Sequence, residues 1–148
     1  MDNLELEKNT QLSKCSIVSL PRINDDRGSL SFVENRKHIP FDIKRIYYLF
    51  NNEPVLERGH HGHKELQQLV IAINGEFVIT LDDGYHKKDF KLNSPDVGLY
   101  VAPMIWRTLK DFSKDAVCLV LASDFYTEDD YYRNYDDFIT VVRGDLSK

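Results

Sequence analysis

The chain has 148 residues, of which 42% are hydrophobic and 29% charged, the proportions of a single globular domain with a core of its own. A net charge of −5 excludes a general nucleic-acid binder, which needs a basic face, but leaves room for a nucleotide ligand held by a few local cations. No apolar run reaches the length of a membrane span, and the acidic start from Met1 to Glu7 has neither signal nor transit character, so a cytoplasmic location is expected.

Residues 1–14 are polar and read as a loose N-terminal extension, with residues 15–148 as one domain. Cys15 and Cys118 both sit in apolar runs and are expected to be buried, reduced thiols. Residues 16–20 form the first strand pattern. Residues 29–33 follow a turn at Asp25-Asp26-Arg27-Gly28, and residues 45–50 are β-branched and aromatic, as strands prefer. Segments 69–74 and 76–81 flank Asn74-Gly75, a strong hairpin signal, and Asp82-Asp83-Gly84 marks the next turn. Segments 88–92, 98–102, 106–109 and 117–122 complete a series of roughly ten short strands, which implies an all-β sandwich or barrel rather than alternating strands and helices. The tail changes character. Thr127-Glu128-Asp129-Asp130 predicts a helix start, with Tyr131, Tyr132, Tyr135, Phe138 and Ile139 lining a face that packs on the barrel or on a partner subunit.

The chemistry concentrates in Arg58-Gly59-His60-His61-Gly62-His63-Lys64, which holds three of the five histidines. On a strand, His61 and His63 share one face and His60 points to the other. An HxH pair facing into a small barrel is the first half of a metal-binding cupin pattern, which also needs a carboxylate a few residues on and a third histidine from a later strand. Gln68 stands at the carboxylate position. The later segment reads Met104-Ile105-Trp106-Arg107 and supplies a guanidinium that cannot bind a metal. Two histidines, an amide and a cation make a poor site for Fe, Mn or Zn, so no metal is expected.

Acid–base chemistry remains. A neutral imidazole can take a proton from a carbon beside a ketone, and a second imidazole can hold, relay or return one. The developing enolate needs donors or cations around its oxygen, and Arg27, Tyr47 and Arg107 are candidates. Arg45, Arg58 and Lys64 are candidates for a diphosphate.

Further segments carry a resemblance. They are Asp26-Arg27-Gly28-Ser29-Leu30, the run from Ile39 to Tyr48, Arg58 to Lys64, Leu81-Asp82-Asp83-Gly84, Val97 to Val101, Val120 to Tyr126 and Asp130 to Asp136. With these the chain resembles the dTDP-4-keto-6-deoxyglucose 3,4-ketoisomerases of bacterial deoxysugar biosynthesis, which serve surface glycans. The resemblance spans residues 15–140. It implies a cupin jelly-roll barrel with a short C-terminal helix, a strand-exchanged homodimer, and catalysis without cofactor or metal. The reaction it implies moves a ketone from C4 to C3 through an enediol. By position, His61 looks like the base and His63 its partner, with Tyr47, Arg58 and Lys64 contacting substrate or phosphate. Arg27-Gly28 resembles the branch that gives a galacto-configured 3-keto product on the way to a 3-amino-3,6-dideoxyhexose. Arg107 departs from the family pattern, where a histidine is usual. The alternatives are the gluco-configured product, a 3,5-epimerase using the same enolate chemistry, and a non-catalytic cupin that binds a small ligand.

Overall fold

A computed structural model describes residues 9–144. Among these, the strands are β1 (Ser16–Ser19), β2 (Arg22–Asp25), β3 (Gly28–Ser31), β4 (Arg45–Leu49), β5 (Arg58–His63), β6 (Gln68–Asn74), β7 (Phe77–Asp82), β8 (Lys87–Leu92), β9 (Val97–Val101), β10 (Trp106–Lys110), β11 (Val117–Ala122) and β12 (Tyr131–Tyr132). One α-helix, α1 (Tyr135–Arg143), follows them. Part of the expected extension over residues 1–14, and residues 145–148 of the expected domain, lie outside the described residues.

Two five-stranded sheets run in the orders β1-β9-β6-β11-β4 and β12-β5-β10-β7-β8, and every pairing is antiparallel. Sequence neighbours are mostly not sheet neighbours, so the chain crosses repeatedly between the layers, as in a jelly roll. Asn74-Gly75 illustrates the crossing. The pair makes a tight reversal with Gly75 at φ 66°, as its sequence predicts. The flanking strands do not form the expected hairpin, however: β6 is already bracketed by β9 and β11, so β7 pairs with β10 and β8 in the other sheet. Asp82-Asp83-Gly84 does join paired strands, β7 and β8.

The period-two pattern explains the core. Phe77, Ile79 and Leu81 of β7 point between the sheets and meet Val70, Ala72, Leu99, Val101, Leu109, Cys118 and Val120. The opposite face of β6 carries Leu69 and Ile71, which Ile39, Phe41, Leu20 and Leu121 cover. Both faces of β6 are therefore buried, which accounts for its near-continuous apolar run. Cys15 and Cys118 are buried and free. Gln11 and Leu12 dock on the barrel, the Gln11 side chain donating to the Pro103 carbonyl at 2.6 Å and the Leu12 amide to the buried Asp83 carboxylate at 3.0 Å. Among the described residues no helix is long and apolar enough to cross a membrane.

The tail corrects one expectation. Thr127 makes no side-chain cap, and residues 128–130 form only a 3₁₀ turn. Tyr131 and Tyr132 are drawn into the sheet opposite His63 and Gly62, so helix α1 starts later, at Tyr135. Asn134 is its cap, accepting from the Asp137 amide at 3.0 Å, and Asp136 and Asp137 sit at the positive end of the dipole. Phe138 is fully buried against Trp106 and Tyr132 and fixes the helix to the second sheet. Phe138→Ala should lower unfolding free energy by about 3–5 kcal/mol in denaturant titrations. A loss under 1 kcal/mol would mean that α1 is not part of the cooperative core.

Candidate active site

The histidine strand is not regular. Against β10, His61 faces Arg107, Gly59 faces Thr108 and Arg58 faces Leu109, so His60 is an extra residue with no partner. This is a β-bulge, with Gly59 at φ 90° and His60 at φ 51°. Strict alternation from His61 would send Arg58 to the same side as His60. The extra residue reverses that, and Arg58 and His61 line one cavity of about 330 Å³. His60 is left outside, 3.4 Å from the Glu57 carboxylate. Glycine is needed at 59, because a Cβ there would lie 3.0 Å from the Arg107 carbonyl at a φ that L residues avoid. The bulge also leaves the Gly59 carbonyl facing His61 Nδ1 at 3.0 Å. A carbonyl can only accept, so the His61 proton sits on Nδ1 and its Nε2 carries a lone pair. Gly62, between the histidines, has Phe138 packed where a side chain would point, 3.3 Å from a Cβ built there.

His63 is fully buried, its ring centroid 4.9 Å from that of His61 in a T-shaped contact. Its Nδ1 lies 2.9 Å from the Asp130 carboxylate. The Nε2 atoms of both histidines are buried without a hydrogen-bond partner. Such groups cost free energy unless something meets them. Burial, then the Arg107 charge, pushes the His61 pKa down from 6.5 to about 4, with the Gly59 hydrogen bond opposing. The same two causes, joined by His61, push His63 down as well, while the Asp130 carboxylate at 2.9 Å opposes them. Both imidazoles are thus neutral bases at pH 7.

Gln68 and Arg107 occupy the wall beside them. Arg107 is 3% exposed, donating to the Ile105 carbonyl at 2.9 Å and to Gln68 Oε1, while its buried Nε has no partner. Arginine only donates, so Gln68 presents its oxygen to Arg107 and its NH₂ to the Tyr47 hydroxyl, at 2.8 Å. Tyr47 therefore accepts here and keeps its own proton for a ligand; burial raises its pKa. Among the described residues no group of three or more His, Cys, Asp or Glu side chains converges as a metal site would require.

The predicted residues divide by position. Arg45, Tyr47, Arg58, His61 and Arg107 line one cavity. Lys64 and His63 line a second, of about 450 Å³, and Arg45 and Tyr131 form part of both walls. Arg27 is not brought to either cavity in its own chain. It sits on the exposed β2–β3 hairpin, paired with Asp25 at 2.6 Å. Three residues were missed by sequence reasoning: Asp130, Tyr131 and Arg133. Tyr131 packs 5.2 Å from His61 and 4.4 Å from His63, with the Arg133 guanidinium 4.1 Å over its ring. Arg133 is held in turn by Glu128 at 2.7 Å. The missing signal was the break in helical pattern at Tyr131-Tyr132, a two-residue strand too short to stand out.

Comparison with known proteins adds the family. The model described as "FdtA: WxcM-like, C-terminal" matches residues 13–143. A relative from Aneurinibacillus thermoaerophilus, named TDP-4-oxo-6-deoxy-alpha-D-glucose-3,4-oxoisomerase, is 48% identical over 82% of this chain and 88% of its own. The crystal structure of WlaRB, a TDP-quinovose 3,4-ketoisomerase from Campylobacter jejuni, superposes with a TM-score of 0.82 at 49% identity, covering 84% of this chain and 96% of that one. A His-to-Asn variant of the 3,4-ketoisomerase QdtA from Thermoanaerobacterium thermosaccharolyticum, in complex with TDP-4-keto-6-deoxyglucose, superposes at 0.86 with 40% identity, covering 90% and 97%. The jelly-roll barrel, the inward histidine pair and these matches together show that the chain belongs to the FdtA-like family of sugar 3,4-ketoisomerases, isomerases on a cupin-type fold.

Proposed function

We propose that this isomerase converts TDP-4-keto-6-deoxyglucose to the 3-keto isomer, with His61 as base. The observation that carries the reading is the buried, unpartnered Nε2 of His61 in the cavity that Arg107 and Tyr47 also line. His61 Nε2 takes the C3 proton. The C3–H electron pair becomes the C3=C4 bond, and the C4=O pair moves to O4, giving an enediolate. The Tyr47 hydroxyl and the Arg107 guanidinium supply a proton donor and a cation where that charge develops. The Tyr47 hydroxyl gives O4 its proton, the O3–H proton leaves and restores that hydroxyl as C3=O forms, and C4 takes the proton that left C3. His63, in ring contact with His61, holds or returns it. Carbon and oxygen end at the same total oxidation level, so the balance requires no redox cofactor. Arg45 and Arg58 are suited to the diphosphate, and Lys64 to the same anion from the adjoining cavity. The C3 ketone is the carbonyl that an aminotransferase would need to make a 3-amino-3,6-dideoxyhexose.

Configuration at C4 has two readings. The galacto product follows from Arg27. The gluco product is favoured by the buried Arg107, too basic to act as an acid at C4, and by the 49% identity to an enzyme named for TDP-quinovose, a 6-deoxyglucose. The likeness to that enzyme supports the gluco reading better.

A strand-exchanged homodimer in the cytoplasm is part of the proposal. Ile23 and Leu30 pair across the β2–β3 hairpin, each 57% exposed. A groove of about 410 Å³ beside the hairpin is lined by Leu30, Phe32, Ile46, Ile71 and Ile73. An apolar hairpin next to an apolar groove suits exchange with a second copy, which would also carry Arg27 to a neighbouring subunit. Sedimentation should give twice the chain mass, and Leu30→Asp should give monomers; a wild-type monomer at micromolar concentration would remove the dimer from the proposal.

The reaction itself is tested in deuterated water with TDP-4-keto-6-deoxyglucose. NMR should show loss of the H3 signal and a new C4 centre whose couplings report gluco or galacto. His61→Asn should cut turnover by roughly 10²–10⁴-fold. Deuterium at C5 instead would make the chain an epimerase, and substrate binding without exchange would make it a non-catalytic binder.

A further inference from the structure

Asp130 touches the histidine pair from 67 residues away in sequence. Every polar group it has is engaged. Oδ2 meets His63 Nδ1 at 2.9 Å and Oδ1 accepts the Glu65 amide at 2.8 Å. Its carbonyl accepts the Lys64 amide at 2.8 Å, and its own amide donates to Thr127 at 3.2 Å. The next residue, Tyr131, is in register with His63. Asp130 is thus clamped to the two residues that follow the histidine it faces and is not free to swing toward a ligand. A carboxylate only accepts, so the His63 proton is held on Nδ1. The ring is fully buried, and the remaining nitrogen, Nε2, has no partner.

We propose that Asp130 is a positioning residue: it fixes the tautomer and plane of His63 so that a bare Nε2 stands ready to take and return the proton handled by His61. The inference rests on the ketoisomerase reading for its consequence, though not for the tautomer itself. The two histidines are then set alike by different means, His61 by a backbone carbonyl released in the bulge and His63 by a carboxylate at the end of the 3₁₀ turn that precedes β12. A purely structural hydrogen bond would not need a carboxylate. An amide of the same shape keeps the bond to Glu65 but can accept from or donate to the imidazole, leaving either tautomer open.

The test joins ¹⁵N NMR of histidine-labelled protein with steady-state kinetics on TDP-4-keto-6-deoxyglucose. Wild type should show His63 as a single Nδ1–H tautomer near neutral pH. Asp130→Asn should show a mixture or the Nε2–H form, with kcat reduced by roughly 10²-fold or more, KM within about threefold, and TDP affinity and melting temperature near wild type. An Nε2–H tautomer in wild type overturns the proposal, as does an Asp130→Asn protein with wild-type kcat, or one that loses kcat while keeping the Nδ1–H tautomer. The wild-type spectrum decides the case if the variant fails to fold. It also separates the two claims, since a wild-type protein that leaves this substrate unchanged removes the function while the tautomer remains readable.

Discussion

The bulge at Gly59–His60 is the constraint on which the site depends. One extra residue in β5 lets Arg58 and His61 line the same cavity although they are three positions apart. The same irregularity frees a carbonyl that orients the His61 ring. It is conditional on glycine at 59 and on close packing against β10. Gly62 completes the arrangement from behind, because a Cβ there would press on the Phe138 ring at 3.3 Å. Local backbone geometry, helix docking and ring orientation are therefore one problem with one solution. Residues 58–63 carry two glycines and three histidines for that reason.

The electrostatic design follows from depth. Burial is the largest influence on both histidines, and the Arg107 charge is second. The order matters. A cation alone, in water, would be screened and would move an imidazole little. Enclosed with it, the cation holds the bases neutral and waits for an anion. An enolate forming there would meet Arg107 and Tyr47 already in place, with no solvent to reorganise. Arg107 itself is buried with only part of its donor capacity used, a cost that a transient oxyanion can offset.

Much of this was legible in the sequence. Short alternating segments and turn residues indicated an all-β barrel, and the spacing of His61-x-His63 indicated two rings close together, whose centroids lie 4.9 Å apart. What could not be read is non-local or irregular. A bulge has no distinct period, so the alternation rule alone would have set Arg58 apart from His61. Asn74-Gly75 signals a reversal but not which sheet receives the next strand, a choice made by β9 and β11 occupying the edges of β6. Tyr131-Tyr132 looked helical because its acidic start and aromatic spacing fit a helix. Pairing with His63 and Gly62 outweighed that local preference, and it brought in Asp130, whose contact with His63 spans 67 residues. Arg27 marks the limit of reasoning from one chain, for it sits on an exposed hairpin and lines neither cavity that holds a histidine of the pair.

The central claim is that His61 acts as a neutral base held below its ordinary pKa by burial and Arg107. The pH dependence of kcat/KM tests it most directly, on protein verified as folded at each pH. A base is competent in its unprotonated form, so depression of its pKa extends activity toward acid. The account predicts a profile flat through pH 6.5 with an acid limb near pH 4. An acid limb at or above pH 6.5 would mean a solvated imidazole, or a different base, and would contradict it.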